Sequence, residues 1–278
     1  MPSWLACAAR HLIPVLAAIA LFASPARAGD IAVLTAGAFK PVLLDLTAAY
    51  EATSRDSVSI SNDTAGGVAA RIGRGEEVDL VILPMPSLVA LTAQGTIAAG
   101  TAVALAKSGI GVVVKEGAPT PDISTVEAFK QTLLATPSFA MIDPAAGGSS
   151  GIYLAALFEK LGIADRLKRK TILVPGGLTA SRVDNGEAAM ALQQISELRA
   201  VRGVQFVGPL PAEIQNYTIY GGAIPAKARR PQGRQGAAFV LAIRGRATGP
   251  GRARPGKTLI ALSAEVRAIR RGPAPHRA

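Results

Sequence analysis

The sequence predicts an α/β protein in which mostly parallel sheets are flanked by helices. Short apolar runs rich in β-branched residues, such as residues 31–34 and 78–83, alternate with longer amphipathic stretches. A strand, a helix and a second strand in this order favour a crossover connection, which places the two strands in parallel. The alternation continues to residue 220 without a repeat of fixed period.

Turn and cap residues divide this pattern into elements. Pro41 suits the first turn of a helix, and Pro84 and Pro86 end the strand that precedes them. Ser124 and Glu127 have the spacing of a capping box. We expect strands at residues 31–34, 58–60, 78–83, 109–115, 139–142, 171–174, 188–192, 204–207 and 217–220. We expect helices at residues 41–51, 66–72, 88–94, 124–134, 149–160 and 178–183.

Residues 1–28 are typical of a secretory signal peptide. Arg10 gives the start a positive charge, residues 12–23 are almost wholly apolar, and residues 26–28 read Ala-Arg-Ala. We therefore expect cleavage after Ala28 and export to the periplasm. The apolar run is short for a membrane anchor, since a spanning helix needs about 20 apolar residues.

Cysteine and histidine are nearly absent from the chain. The single cysteine is Cys7, inside the predicted signal peptide, and the two histidines are His11 and His276. A Ser-His-Asp triad and a typical zinc site both need imidazole or thiolate side chains within the folded body. We therefore expect no catalytic residues of these kinds, no metal site and no cofactor.

The positive charge of the chain is concentrated at its C-terminal end. Residues 29–225 carry 15 Lys and Arg against 18 Asp and Glu, whereas residues 226–278 carry 13 against one. Nucleic-acid binding favours basic residues on a folded face, and no aromatic residue follows Phe239. Residues 246–278 are rich in Gly, Pro, Ala and Arg and are predicted to be disordered. A frameshifted end and a native basic extension both remain open.

Five phrases, in this order, carry a resemblance to a known family. They are AGAFKP (36–41), TAGGVAARIGRGEEVDLVIL (64–83), DPAAGGSSGIYLAALFEKLGI (143–163), NGEAAMALQQISEL (185–198) and VGPLPAEIQNYTIY (207–220). Together they resemble the type II periplasmic solute-binding proteins of ABC importers, in particular the molybdate-binding-like branch. The resemblance extends over residues 31–242.

The resemblance implies a two-lobed type II periplasmic-binding-protein fold, with a ligand cleft between lobes that close by hinge bending. It implies a first lobe of residues 29–106 with 206–245, and a second lobe of residues 107–205. It also implies a monomer that captures a small anion and delivers it to the membrane permease of an ABC importer.

Three small-residue turns, at residues 35–38, 64–67 and 147–151, each lead into a predicted helix and are candidate anion sites. Free backbone N–H groups and the helix dipole both favour an anion at such a position. The candidate ligand-binding residues are Thr35, Gly37, Ala38, Thr64, Ala65, Gly66, Ser149, Ser150, Gly151, Gln193 and Gln194. Structural roles are the alternatives: Ser149 or Ser150 as an N-cap, Gly66 and Gly67 as turn residues, Thr35 at a strand end, and Gln193 or Gln194 as exposed polar positions. We expect Asp79 and Asp143 to brace turns.

The sequence departs from the molybdate-binding pattern at three places. The family generally places serines after the first strand and in the second turn, where this chain has Ala38 and either Thr64 or Ala65. Gln194 stands where the family often has a tyrosine. The ligand class, molybdate-like oxyanion or small carboxylate, therefore stays open.

Two other functional classes are alternatives to a binding protein. The first is an enzyme on the same two-lobed fold that acts on a small acid, and the second is the effector domain of a transcription factor. The residue inventory favours a binding protein without catalysis over the enzyme. The signal peptide and the lack of a preceding DNA-binding helix pair disfavour the effector domain.

Overall fold

A computed structural model describes residues 29–54, 56–229 and 239–240. Its strands are β1 (Asp30–Ala36), β2 (Ser57–Asp63), β3 (Leu80–Pro84), β4 (Val103–Lys115), β5 (Phe139–Ile142), β6 (Thr171–Val174), β7 (Met190–Gln194), β8 (Val204–Pro209) and β9 (Tyr217–Ala223). Its helices are α1 (Lys40–Glu51), α2 (Ala65–Gly73), α3 (Met85–Ala93), α4 (Val126–Ala135), α5 (Ser149–Lys160), α6 (Ala164–Leu167), α7 (Ala180–Asp184) and α8 (Ile195–Leu198). The predicted signal peptide and the predicted disordered tail lie outside the described residues.

The strands pair in the order β2-β1-β3-β9-β4-β7-β5-β6, and β8 also pairs with β4. The outer pairs β1–β2, β1–β3, β5–β6 and β5–β7 are parallel. The pairs that involve β9, and those of β4 with β7 and β8, are antiparallel. The parallel pairs agree with the sequence prediction, because the helices supply the crossovers.

Strand β4 passes from one lobe into the other. Its first half, from Val103 to Gly109, pairs with β9, whereas its second half, from Ile110 onward, pairs with β7 and β8. At the changeover the Gln215 side chain donates to the Ile110 carbonyl oxygen at 2.9 Å and accepts from the Ile110 N–H at 2.8 Å. The Gln215 amide therefore supplies hydrogen-bond partners for the Ile110 backbone at the point where β4 changes from pairing with β9 to pairing with β7 and β8.

Each lobe has its own hydrophobic core. In the first lobe Leu34 and Leu83 are fully buried, together with residues of α1, α2 and α3. In the second lobe Phe129 and Leu154 are fully buried, and a smaller cluster packs on the other face of the sheet. A fully buried Leu or Phe side chain contributes about 1.5–3 kcal/mol. The two separate cores establish the two-lobed α/β fold expected from the sequence.

The lobe boundaries follow from the strand pairing. Residue 206, the expected start of the return to the first lobe, lies inside β8, whose partner is the second half of β4. We propose that the chain returns between β8 and β9, close to Gln215. Phe239 also belongs to the first lobe, because its ring meets that of Tyr50 edge to face with centroids 4.8 Å apart.

Local contacts confirm some expected cap residues and correct one. Asp79 accepts a hydrogen bond from the Ala32 N–H at 2.9 Å. Asp143 accepts from the Ala145 N–H at 2.9 Å, so both acids brace the backbone as expected. The expected cap at Ser124 is wrong by one residue, since Thr125 accepts from the Ala128 N–H at the start of α4. Within the described part of the chain, no helix has the length and apolarity required to cross a membrane.

Candidate functional site

A cavity of about 150 Å³ lies between the lobes, and we call it the cleft. It opens at the carboxyl ends of parallel strands β1, β2 and β5, which is where α/β sheets commonly bind ligands. Pockets for drug-sized ligands range from about 300 to 1,000 Å³, so this one suits a smaller molecule. The lining residues are Ala36, Gly37, Ala38, Asn62, Asp63, Thr64, Ala65, Ile142, Gly148, Ser149, Ser150, Gly176, Gly177, Glu197 and Tyr220.

The first candidate turn contributes its backbone to the cleft. Gly37 and Ala38 line the cavity directly after β1, whereas Thr35 is fully buried and its hydroxyl donates to the Ala36 carbonyl oxygen at 3.1 Å. A Cβ on Gly37 would come within 2.9 Å of Glu197 Oε1. The absence of a side chain at Gly37 therefore keeps the Glu197 carboxyl group at the cleft wall.

The second candidate turn, at the start of α2, connects the lobes. The Gly66 N–H donates to the Gly147 carbonyl oxygen at 3.0 Å, and the Thr64 hydroxyl donates to the Ala146 carbonyl oxygen. Thr64 Oγ1 also accepts from the Gly67 N–H at 3.0 Å. We call the contacts of Thr64 and Gly66 with Ala146 and Gly147 the latch. Much of the hydrogen-bonding capacity of this turn is consequently used within the protein.

The third candidate turn presents the start of α5 to the cleft. Gly148 is the N-cap, so neither Ser149 nor Ser150 has that role. Both serines line the cavity in the first turn of this 12-residue helix, where backbone N–H groups have no intrahelical partner. Ser149 Oγ also lies 3.3 Å from the Tyr220 hydroxyl. This turn combines amide donors, a hydroxyl and the positive end of a helix dipole.

Asn62 adds an oriented amide at the end of β2. Its Oδ1 atom accepts a hydrogen bond from Lys40 Nζ at 2.8 Å, so the amide nitrogen is the group left to face Gly37 and the cleft. Lys40 places a positive charge behind this amide. Among the described residues that line the cleft there is no Lys or Arg. An anion in the cleft would therefore be held by amides and hydroxyls. The positive charge of Lys40 would act on it through the Asn62 amide rather than by direct contact.

Two buried ionisable side chains line the cleft. Glu197 is on α8 and Tyr220 is on β9, and both line the cavity. Burial raises the pKa of the Glu197 carboxyl to about 8, against the opposing effect of a hydrogen bond with Gln193. Burial also raises the pKa of Tyr220, while its contact with Ser149 opposes the shift. At neutral pH both groups are therefore mainly protonated and able to donate hydrogen bonds.

Comparison with known proteins identifies the family. A family model described as bacterial extracellular solute-binding protein matches residues 31–249. The chain belongs to this family. The sequence is 34% identical over 232 residues to an aconitate isomerase of a Pseudomonas species, across 79% of this chain and 87% of that protein.

Solved structures of solute-binding proteins share the fold. The periplasmic molybdate-binding protein of Azotobacter vinelandii superposes with a TM-score of 0.61 at 17% identity, over 77% of this chain and 97% of that one. A periplasmic thiamin-binding protein superposes with a TM-score of 0.60 at 15% identity, over 78% and 79% of the two chains. The predicted family and the predicted two-lobed fold are thereby confirmed.

In this solute-binding protein, six of the eleven candidate residues line the cleft: Gly37, Ala38, Thr64, Ala65, Ser149 and Ser150. Gly66 belongs to the latch, and Gly151 packs on β5, where a Cβ would lie 2.2 Å from the Ile142 carbonyl oxygen. Gly66, Gly151 and Thr35 do not line the cavity.

The two glutamines of β7 are buried beside the cleft and do not line it. Gln193 Oε1 accepts from the N–H and the hydroxyl of Thr179, at 2.8 and 2.9 Å, and its amide nitrogen donates to the Gly177 carbonyl oxygen. The Gln194 amide lies 3.0 Å from Thr218 Oγ1 on β9. Both side chains thus hold neighbouring segments in place.

Several residues of the cleft are absent from the predicted set, namely Asn62, Asp63, Gly176, Gly177, Glu197 and Tyr220. Asn62 and Asp63 carried a usable signal, because they follow shortly after the strand predicted at residues 58–60 and end the observed β2. Glu197 follows β7 in a four-residue helix, and its burial depends on contact with the other lobe. Nothing local in the sequence distinguishes it from an exposed glutamate.

Proposed function

We propose that this solute-binding protein captures a small carboxylate anion in the cleft between its lobes. The observation that carries the proposal is the start of α5, where Ser149 and Ser150 line the cavity in the first turn of the helix. A helix N-terminus with small residues accepts a carboxylate or an oxyanion without a basic side chain. The amide of Asn62 and the hydroxyl of Tyr220 supply further donors from the first lobe.

Two features favour a carboxylate over a tetrahedral oxyanion. The hydroxyl groups expected of a molybdate site are reduced, because Ala38 and Ala65 stand in the first and second turns. The 34%-identical relative is an aconitate isomerase, whose name indicates an unsaturated polycarboxylate.

We further propose that the ligand is delivered to the permease of an ABC importer by an exported monomer. The support is membership of the extracellular solute-binding family and the predicted signal peptide. Lobe closure around the ligand would create the surface that the permease recognises. Without the ligand the latch would open and close freely.

A second candidate function is isomerisation of an unsaturated acid of the aconitate class. Two observations favour it: the buried Glu197 carboxyl at the cleft wall, and the isomerase relative that matches 79% of this chain. A side chain with a pKa of about 8 is suited to proton transfer near neutral pH. Binding and isomerisation would use the same cleft.

A thermal-shift panel tests the proposed binding function. The purified protein would be heated with cis-aconitate, trans-aconitate, citrate, tricarballylate, molybdate, sulfate or phosphate. A bound ligand at about a hundredfold excess over its Kd stabilises the folded state by about 2.7 kcal/mol. We expect stabilisation by at least one carboxylate. Stabilisation by molybdate alone, or by no acid of the panel, would contradict the proposal.

A turnover assay separates the two candidate functions. The protein would be incubated with cis-aconitate, and the cis and trans isomers would be quantified by proton NMR over several hours. A receptor leaves the isomer ratio unchanged while the acid still raises the melting temperature. An isomerase moves the ratio toward equilibrium from either side.

A further inference from the structure

Glu197 is an acid whose position requires an explanation. Its side chain is 7% exposed although it lines the cleft. Within the described residues it takes part in no salt bridge, and its identified hydrogen bond is with the neutral amide of Gln193. A buried carboxyl group without a cationic partner is costly to keep in a fold. Its place at a ligand cavity indicates a chemical role rather than a structural one.

We propose that Glu197 is the catalytic acid–base that moves a proton between two carbons of a bound unsaturated polycarboxylate. This inference rests on the second candidate function above. The substrate class is an acid in which a methylene group lies between a carboxylate and a carbon–carbon double bond. The reaction needs no cofactor and no external oxidant or reductant.

The proposed step conserves all atoms and electrons. The Glu197 carboxylate takes one proton from the methylene carbon, and the electron pair of the broken C–H bond spreads over the allylic system and the attached carboxylate as a dienolate. The protonated Glu197 then returns a proton to the carbon that was formerly vinylic. The double bond has moved by one position, and Glu197 is regenerated as a carboxylate.

The surroundings of Glu197 suit both halves of this step. Gly37 leaves its Oε1 atom unshielded, since a Cβ there would come within 2.9 Å. A hydrogen bond with the Gln193 side chain lowers the pKa of this carboxyl group and opposes part of the effect of burial. Burial raises its pKa to about 8, which makes the carboxylate a stronger base than a solvated one and leaves a usable ionised fraction near neutral pH. The dienolate charge would fall among the donors of α5 and Asn62.

The other ionisable groups nearby are less suited to the role. Burial raises the pKa of Tyr220 above its ordinary value, so its phenolate is scarce at neutral pH. Asp63 accepts from the Thr64 N–H at 2.7 Å. On the elements packed against α8, Lys40 is bonded to Asn62 and Lys107 lies over the ring of Tyr217. Glu197 is therefore the acid–base group that the cleft presents.

The test compares wild-type protein with Glu197→Gln in heavy water. Glu213→Gln, at an exposed position, is the matched control for loss of a carboxyl group. Isomerisation of cis-aconitate and uptake of deuterium into its methylene group are followed by NMR, and the Kd is measured by calorimetry. We expect Glu197→Gln to lower turnover and deuterium uptake by about 10²–10⁴-fold, with a Kd within about threefold of wild type. Glu213→Gln should match wild type throughout.

The possible failures are distinguishable. A wild-type protein that binds the acid but neither isomerises nor deuterates it would overturn this inference and leave the receptor function intact. A Glu197→Gln variant that turns over at the wild-type rate would overturn the inference and leave the isomerase function intact. A wild-type protein that binds none of the acids would remove the proposed function itself.

A second variant keeps the test valid if Glu197→Gln does not fold. Glu197→Asp retains the acid but withdraws it by one methylene group, so turnover should fall while binding stays within about threefold of wild type. The pH profile of kcat/KM gives an independent readout. It should rise through the pKa of Glu197, near 8, in the wild-type protein. A profile that is flat between pH 6 and about 9 would overturn the inference.

Discussion

The turns that begin α2 and α5 look alike in the sequence and differ in what they contact. Both contain paired glycines and a hydroxyl residue, and both precede an amphipathic helix. At α2 the Gly66 N–H and the Thr64 hydroxyl meet carbonyl oxygens of the other lobe. At α5 the first turn faces the cleft. A helix N-terminus thus serves as a closure contact in one lobe and as a candidate ligand site in the other.

The difference follows from how closely the opposing backbone approaches. Gly66 and Gly147 lie so near each other that a Cβ on Gly66 would be 2.9 Å from Gly147 Cα. Gly147 adopts a φ of 73°, which glycine tolerates and other residues rarely adopt. The latch therefore depends on two glycines in contact. The rest of the α5 turn, from Gly148 onward, instead lines the cleft, where Ser149 Oγ lies 3.3 Å from the Tyr220 hydroxyl.

The largest expected effect comes from a charge placed at the α5 turn. Ser149→Asp should weaken anion binding by about 10²–10³-fold, because two like charges about 4 Å apart repel by about 4 kcal/mol near a protein surface. The helix should remain intact, since an acidic side chain in the first turn complements the helix dipole. Calorimetry with the best ligand of the panel measures the loss.

The matched control for this change is Ala156→Glu, which adds the same charge at an exposed position of the same helix. It should leave the Kd within about twofold of wild type, because exposed charges more than a Debye length of about 10 Å apart are screened. Equal affinities for Ser149→Asp and wild type would remove the α5 turn from the site.

The next effect concerns the latch. Gly66→Ala should push Gly147 away and hinder lobe closure, with an affinity loss of about tenfold or more, since bound-state contacts across the cleft would be lost. Gly73→Ala is the matched control in the same helix, because a Cβ there meets no atom within 4 Å. Small-angle scattering with and without ligand should show less compaction for Gly66→Ala. Full compaction of this variant would contradict the role of the latch.

The burial of Glu197 at the cleft also predicts that the free energy of unfolding depends on pH. The folded-state pKa of Glu197 is raised from 4.5 to about 8. The folded protein therefore binds this proton more tightly than the unfolded chain does. The contribution of Glu197 to the free energy of unfolding is greatest below pH 4.5, falls as the pH rises toward about 8, and is constant above that.

Denaturant titrations without ligand, at several pH values, measure this dependence. The slope attributable to one proton is at most about 1.4 kcal/mol per pH unit. Glu197→Gln should remove this slope. The stability of the variant relative to wild type should therefore be higher at pH 9 than at pH 5. If the pH dependence of wild type and Glu197→Gln were identical, Glu197 would not be the titrating group.

The smallest expected effect is the loss of the Thr64 hydroxyl. Thr64→Ala removes the N-cap of α2 together with one latch contact, so we expect a loss of about 0.5–2 kcal/mol in the free energy of unfolding. Thr64→Ser keeps the hydroxyl and should retain most of that stability. Chemical denaturation measures both variants, and an equal loss in the two would show that the methyl group matters instead.

Most of the fold could be predicted from the sequence because its signals are local. The strand at residues 78–83 is an apolar run, interrupted by Asp79 and followed by prolines, and α5 begins at the residue expected from its small-residue turn. The cap of α4 was predicted one residue early, since Ser124 and Thr125 are both competent N-caps. Periodicity and turn chemistry depend on neighbours within a few residues, so they survive without tertiary information.

The candidate site could be predicted only in part. Ser149 and Ser150 belong to a recognisable helix start, and they do line the cleft. Gln193 looked equally available for a ligand, yet its amide is bonded to Thr179 and Gly177. Which hydrogen-bonding groups remain free depends on contacts between segments far apart in the chain, and no local pattern encodes these.

The sequence by itself determined the class of fold and the family, and it predicted three turns as candidate anion sites. Only the tertiary structure decided that the α2 turn closes onto the other lobe and that Glu197 and Tyr220 are buried together beside the α5 turn. The physical reason is that helices and strands arise from local periodicity. Burial, pKa shifts and hydrogen-bond satisfaction instead arise where two separately folded lobes meet.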